Sequence, residues 1–307
     1  MRFSVFQDSR RGGRQVNQDR MAYQFTKEAL LLVVCDGMGG HFGGEVAAQL
    51  AVEVITSRFA AEALPFLRNP SAFLEDAFVD AHNAIGERTI AQRFPESPRT
   101  TAVACVIQHG TAFWAHAGDS RLYVFRKGRQ LLRTRDHSKY ELLQAQGVAM
   151  GMDAAHHPDR NKLFNCLGSP QTPLVEHGTP TVLKNGDRLL LCSDGVWSNL
   201  HDDEMARMLG HDDVAKSVPV LLDQAVIEGG SSCDNATALA VHWAGMGASP
   251  DFEGASTRTG GYETTAQILP ASPMTAAISE AEIDAAVDEI RAAIQRTEKP
   301  APPKPRR

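Results

Sequence analysis

Short apolar runs rich in Val, Leu and aromatic residues recur along the chain. They predict strands near Phe3–Asp8, Ala29–Asp36, Thr101–Gln108, Phe113–His116, Arg121–Phe125, Arg188–Ser193 and Thr237–Trp243. Two longer stretches change period. Val46, Leu50 and Val54 stand four apart within Gly44–Ala63, and Phe73, Ala77, Ala81 and Ile85 do so within Ser71–Phe94. Both spacings predict helices. Shorter helices are expected over Tyr140–Ala145, Asp202–Leu209 and Asp213–Glu228. The strands come in clusters set apart by a long helical block, an order that favours an α+β sandwich over regular βαβ alternation.

The pattern changes after Trp243. The expected organisation is a catalytic-size domain over 1–245, a flexible linker rich in Gly, Ser, Thr and Pro over 246–278, an amphipathic helix over 279–297 and a basic, proline-rich disordered tail over 298–307. Ser279 and Glu282 are spaced as a capping box, and Ile283, Val287, Ile290 and Ile294 form one apolar stripe. That stripe suits docking on the chain's own domain, a partner surface or self-association.

Composition narrows the class. The 307 residues are 43% hydrophobic with a net charge of −6, an ordinary globular balance that lacks the basic face of a nucleic-acid binder. No apolar run is long enough to span a bilayer, so no membrane role is expected. The five cysteines lie far apart without a CxxC pair, and Cys35, Cys105 and Cys192 fall inside predicted strands. Reduced, buried thiols and a cytoplasmic location follow by elimination.

The chemistry sits where apolar runs end. Asp36 closes one run and opens "DGMGGHFGGE"; Asp194 closes another before Gly195. Asp119 follows a strand, Asp234 precedes one, and Asp19 follows "RQVNQ". Each alone reads as turn or hairpin chemistry. The glycine-rich stretch lacks the spacing of a dinucleotide site, and no Gly-Lys-Ser/Thr follows to make a P-loop. Converging carboxylates would repel one another unless cations held them, and oxygen-only ligands suit Mg²⁺ or Mn²⁺.

Taken together and in order, Arg14-x-x-Asn17-Gln18-Asp19, Asp36-Gly37-Met38-Gly39-Gly40-His41, Thr100-Thr101, Gly118-Asp119-Ser120-Arg121, Asp136-His137-Ser138, Ser193-Asp194-Gly195 and Asp234-Asn235-Ala236-Thr237 are more specific. The series resembles the metal-dependent protein serine/threonine phosphatases of the 2C type, in their bacterial form, from about Arg2 to Trp243. The resemblance implies a four-layer αββα sandwich of two antiparallel β-sheets flanked by helices. It also implies two tightly bound Mn²⁺ or Mg²⁺ ions and a third, weaker one. By the same resemblance Asp36 bridges two metals and the Gly37 carbonyl is a ligand. Asp194 and Asp234 are direct ligands, Asp19 acts through water, and Asp119 takes the third metal. Arg14 holds the phosphate, for which a guanidinium fork is well suited.

The implied reaction is hydrolysis of phosphoserine and phosphothreonine in proteins by a hydroxide held between the metals, reversing Ser/Thr kinase signalling. Eukaryotic members carry a histidine two positions after the bridging aspartate; here Met38 stands there, with His41 nearby, and the general acid is unassigned. The stretch from Ser138 to Arg160 matches the family's flap and is expected to select substrates. Implied partners are phosphorylated Ser/Thr proteins and a cognate Ser/Thr kinase. A forkhead-associated domain reading Thr264 and Thr265 in "YETTAQILP" is a further expectation. Two other readings compete. One is a catalytically weak phosphoprotein-binding module on the same fold, and the other a metal-dependent hydrolase of small phosphate esters.

Overall fold

The computed structural model describes residues 1–38, 43–147, 159, 162–211 and 213–246. The expected linker beyond Met246, the tail helix, the basic tail and the Thr264–Thr265 pair lie outside the described residues.

Five strands form one antiparallel sheet. In spatial order they are β1 (Arg2–Arg10), β11 (Ala236–Gly245), β10 (Arg188–Cys192), β6 (Arg121–Arg126) and β7 (Arg129–Arg133). The second sheet runs β2 (Asp19–Phe25), β3 (Ala29–Asp36), β4 (Ala102–Gln108), β5 (Thr111–Ala117) and β8 (Glu176–His177), with β9 (Thr181–Val182) also paired to β5. Helices α1 (Gly44–Glu62) and α2 (Pro70–Gln92) cover the second sheet, while α5 (Asp202–His211) and α6 (Val214–Gly229) cover the first. The four-layer αββα sandwich is therefore the observed architecture. Two short helices, α3 (Lys139–Ala145) and α4 (Asp194–Trp197), lie in connections.

Strand periodicity explains the layers. On β3, Leu30, Leu32 and Val34 point between the sheets and meet Leu189, Leu191, Leu239 and Val241 of the facing sheet. Leu31, Val33 and Cys35 point the other way, onto α1 and α2. Both faces of β3 are buried, which is why it reads as a continuous apolar run rather than an alternating one. The final helix-facing cluster sets Val218, Leu221 and Leu222 of α6 against Phe6, Leu190 and Ala240.

Some expectations shift. The four-apart residues of α2 all face the core, and Asn69 caps that helix by accepting from the Ala72 N–H at 3.2 Å. On α1 the expected stripe is rotated. Ala47, Ala48, Ala51, Val52, Ile55 and Phe59 form the buried face, whereas Leu50 and Val54 only flank it. Small alanines let α1 lie close against the sheet, and a reading weighted to large apolar residues misses that face. Strands β2, β7, β8 and β9 and helix α4 were not predicted. β2 carries Asp19, Arg20 and Gln24 among its seven residues, and β8 and β9 have two residues each. All five cysteines are free and buried, as expected.

Candidate active site

Register places the acidic residues. Asp19 begins β2 and Asp36 ends β3, and the two are direct cross-strand partners. Both continue the face whose inner positions are Met21, Tyr23, Leu32 and Val34, so both point into the end of the cleft between the sheets. Directly opposite cross-strand residues hold their Cβ atoms roughly 4.5–5.5 Å apart. The facing sheet contributes from the ends of β10 and β11. Asp194 opens α4 one residue beyond Ser193, and Asp234 lies two residues before β11.

Hydrogen bonds lock this end of the cleft. The Ser193 hydroxyl donates to Asp19 Oδ2 at 2.7 Å, and the Thr237 N–H donates to Ser193 Oγ at 3.0 Å. The Asp36 carbonyl accepts from Thr101 N–H at 2.8 Å and from the Thr100 hydroxyl at 2.9 Å. The Asp36 N–H in turn donates to Thr101 Oγ1 at 3.1 Å. Asn235 ties its own loop to the β1–β2 connection: its Oδ1 accepts from Gln18 N–H at 2.9 Å, while its amide donates to the Arg11 and Val16 carbonyls at 2.8 and 3.1 Å.

The glycines mark crossings of backbone. A Cβ at Gly37 would stand 2.4 Å from the Gly44 carbonyl oxygen and 2.7 Å from that of Gln18. A Cβ at Gly195 would meet the Asn235 carbonyl oxygen at 2.3 Å. Gly37 is thus demanded by the close approach of the α1 start and the β2 entry, whatever its own carbonyl binds. Gly39, Gly40 and His41 lie outside the described residues.

The electrostatics of the cluster are unfavourable as it stands. Burial pushes the Asp19 carboxyl up to about 7, against the opposing pull of the Thr237 and Ser193 hydroxyls, with Asp194 and Asp234 adding repulsion. Asp36 is raised well above the usual carboxylate range by burial first, then by Asp19, Asp194, Asp119 and Asp234. Asp119 is raised by burial, then by Asp194 and Asp136, with Arg121 opposing. Asp19 Oδ1 is buried and accepts no hydrogen bond. Orphaned carboxylate oxygen, like-charge crowding and an all-oxygen donor set are what hard divalent cations resolve, so the residues fit a metal centre. Arg14 reaches the cluster's rim, where its guanidinium donates to Asp234 Oδ2 at 2.5 Å. The expected phosphate binder and an expected metal ligand are therefore ion-paired here.

A support network missed by the sequence reading sits behind Asp119. Arg121 makes a bidentate pair with Asp136, both bonds 2.7 Å, and its guanidinium lies 3.6 Å from the centre of the Trp197 ring. Trp197 donates its indole N–H to the Asp119 carbonyl at 2.9 Å. Arg121 and Asp136 belong to quoted motifs, but nothing in their spacing reveals the pairing, and Trp197 carries no motif signal.

His116, His137 and Glu176 form a second cluster of possible ligands. The Asn165 amide orientation is fixed by Leu174, whose N–H donates to Oδ1 at 3.0 Å and whose carbonyl accepts from Nδ2 at 2.7 Å. Nδ2 thus also donates to His137 Nδ1 at 2.6 Å, joined there by the Gly118 N–H at 3.2 Å. His137 Nδ1 is an acceptor, so its Nε2 carries the proton and donates to Glu176 at 3.1 Å. A cation on Nε2 would require an imidazolate. The cluster instead braces the Gly118–Asp119 turn.

An αββα sandwich with an oxygen-lined acidic cleft between its sheets defines a class of metal-dependent phosphatases. The Protein phosphatase 2C family profile matches residues 6–223, and the chain belongs to that family. It is 30% identical over 214 residues to the serine/threonine phosphatase stp of Listeria innocua, covering 69% of this chain and 83% of that one. It is 32% identical over 212 residues to the serine/threonine protein phosphatase PstP of Mycobacterium tuberculosis, covering 69% of this chain but 40% of that longer one. The solved catalytic domain of a PstP in complex with two manganese ions superposes with a TM-score of 0.65 at 28% identity, covering 78% of this chain and 97% of that one. No helix among the described residues is long and apolar enough to cross a membrane.

Proposed function

We propose that this chain is a phosphoserine/phosphothreonine protein phosphatase working through a binuclear Mn²⁺ or Mg²⁺ centre at the open end of the inter-sheet cleft. The observation that carries this reading is the convergence of Asp19, Asp36, Asp194 and Asp234 at that end, with Asp19 Oδ1 buried and unsatisfied. The manganese-bound catalytic domain among the similar structures supports it. Asp36, Asp194 and Asp234 would hold the ions directly with the Gly37 carbonyl, Asp19 through water, and Asp119 a third ion. When bound, the cations would supply an attacking hydroxide at neutral pH and neutralise the phosphoryl oxygens.

The chain's own residues do the rest. Arg14 binds and orients the phosphoryl group, exchanging its contact with Asp234 for the phosphate dianion. Ser193 fixes the Asp19 carboxylate, and the Thr100–Thr101 pair fixes Asp36 through its backbone. The buried Arg121–Asp136 pair, with Trp197 stacked on it, holds Asp119. Substrates are then phosphorylated Ser/Thr proteins, with a cognate kinase as counterpart, and the flap over 138–160 selects among them in the cytoplasm. A forkhead-associated domain reading Thr264 and Thr265 is kept as a proposed partner.

Release of phosphate from a phosphothreonine peptide tests the reading. Turnover with Mn²⁺ that is lost in EDTA and lost in Asp194→Asn is expected. Equal rates under all three conditions would refute it.

A further inference from the structure

A further arginine belongs to this cleft. The β3–β4 ladder continues past the formal strands: Val34 pairs with Val103, Gly37 bridges Thr100, and the Met38 N–H donates to the Arg99 carbonyl at 3.0 Å. On this register Asp36 lies opposite Thr101, and Met38 opposite Arg99. Residues two apart share a face, so Arg99 stands on the same face as Thr101 and Asp36, one step further out toward the cleft mouth. A diagonal neighbour in such a ladder is roughly 7–8 Å away, within reach of a long side chain.

The side chain itself is unusual. Arg14 is paired with Asp234 and Arg121 with Asp136, but Arg99 has no ion pair or side-chain hydrogen bond among the described residues. It is half-buried and its Nε is fully buried without an acceptor. An Nε–H in that state has lost its hydration without gaining an acceptor. Its charge reaches inward as well. The Cys166 thiol is pushed up mainly by burial, held down by Arg99 and raised again by Asp119, which sets Arg99 and the acidic centre around one buried residue.

We propose that Arg99 is a specificity-determining residue that binds an anionic side chain of the phosphoprotein substrate next to the phosphorylated residue. The inference rests on the phosphatase reading above. Arg99 is bonded to none of the cluster's carboxylates, so its guanidinium is left free for a group other than the candidate metal ligands. It lies on the cleft face all the same. A carboxylate flanking the reacting residue supplies the missing acceptors, while the phosphoryl group itself is left to Arg14.

The test compares kcat/KM on phosphothreonine peptides carrying Glu, Ala or Lys on both sides of the phosphoresidue. The wild-type protein should prefer Glu over Ala about fivefold, the size of one partly exposed charge-assisted contact. The preference should reside in KM. Arg99→Ala should bring the ratio to about one, Arg99→Lys should keep part of it, and Arg99→Glu should favour the Lys peptide. Because each ratio is internal to one variant, a variant with reduced overall activity still reports. An unchanged Glu:Ala ratio in Arg99→Ala overturns the inference, as does a wild-type protein with no preference. Equal losses on every peptide and on p-nitrophenyl phosphate also overturn it, since they would move Arg99 to the phosphoryl group. If the wild-type protein hydrolyses none of these substrates with Mn²⁺, the phosphatase reading itself fails.

Discussion

Asp19 and Asp36 face each other across the first two strands of one sheet, paired in register at the end where the cleft opens. Two buried carboxylates in that position cost stability, because each is desolvated and each repels the other. The fold tolerates them because the Ser193 and Thr101 hydroxyls and the ladder backbone hold them in place, which readies them for a cation.

The pairing predicts an inverted pH dependence for the metal-free protein. The Asp19 carboxyl titrates near 7 in the folded chain, well above its unfolded value. Between about pH 4 and 7 the native state therefore binds a proton that the unfolded chain has released, and stability falls as pH rises. In EDTA, Asp19→Asn should stabilise the protein at pH 7.5 by on the order of a few kcal/mol, read as a higher melting temperature, and change it little at pH 4.5. Equal shifts at both pH values would contradict this. Histidines such as His116, whose pKa burial lowers, act in the opposite direction and cancel in the comparison.

Ser193 should matter more than a small polar residue usually does. Ser193→Ala removes the donor to Asp19 and the acceptor of the Thr237 N–H in one change. The expected cost is about 2–4 kcal/mol in thermal or urea unfolding, with weaker Mn²⁺ activation. A loss below about 0.5 kcal/mol would mean the hydroxyl has no part in holding the cluster.

Trp197 offers a cleaner separation. Trp197→Phe keeps a ring for Arg121 to stack on but removes the N–H that Asp119's carbonyl accepts. Stability should drop by about 1 kcal/mol. Activation should need higher Mn²⁺ in the weak, high-concentration phase, with the tight phase unmoved. A shift in the tight phase instead would separate Trp197 from the third-metal role proposed for Asp119.

Two glycine substitutions should diverge. Gly37→Ala forces a Cβ against the Gly44 and Gln18 carbonyls and should destabilise by more than about 3 kcal/mol and abolish turnover. Gly86→Ala, in the middle of α2 with nothing within 4 Å, should stabilise by about 1 kcal/mol. Thermal melts of the two variants side by side decide the matter.

Much of this was legible in the sequence because strands buried on both faces make long apolar runs, and because an aspartate ending such a run is conspicuous. Asp36 and Asp194 stood out for that reason. β2 was missed because Asp19, Arg20 and Gln24 break its apolar pattern. Its burial is imposed by α1 and the facing sheet, which local sequence does not report. The buried face of α1 is hard to read for the same reason, since alanines that allow close approach look neutral. Trp197, Arg121 and Asp136 meet only in three dimensions, from the end of α4, the start of β6 and the loop after β7. The family resemblance named candidate ligands, but the reason for Gly37, a crossing of three backbones, came from the fold.

The most direct test of the central claim is a Mn²⁺ titration of the protein by calorimetry, free of any substrate. The account predicts about two tight equivalents per chain, a count the Asp119→Asn variant keeps and the Asp36→Asn variant loses. An Asp36→Asn protein that binds Mn²⁺ with unaltered number and affinity would contradict it.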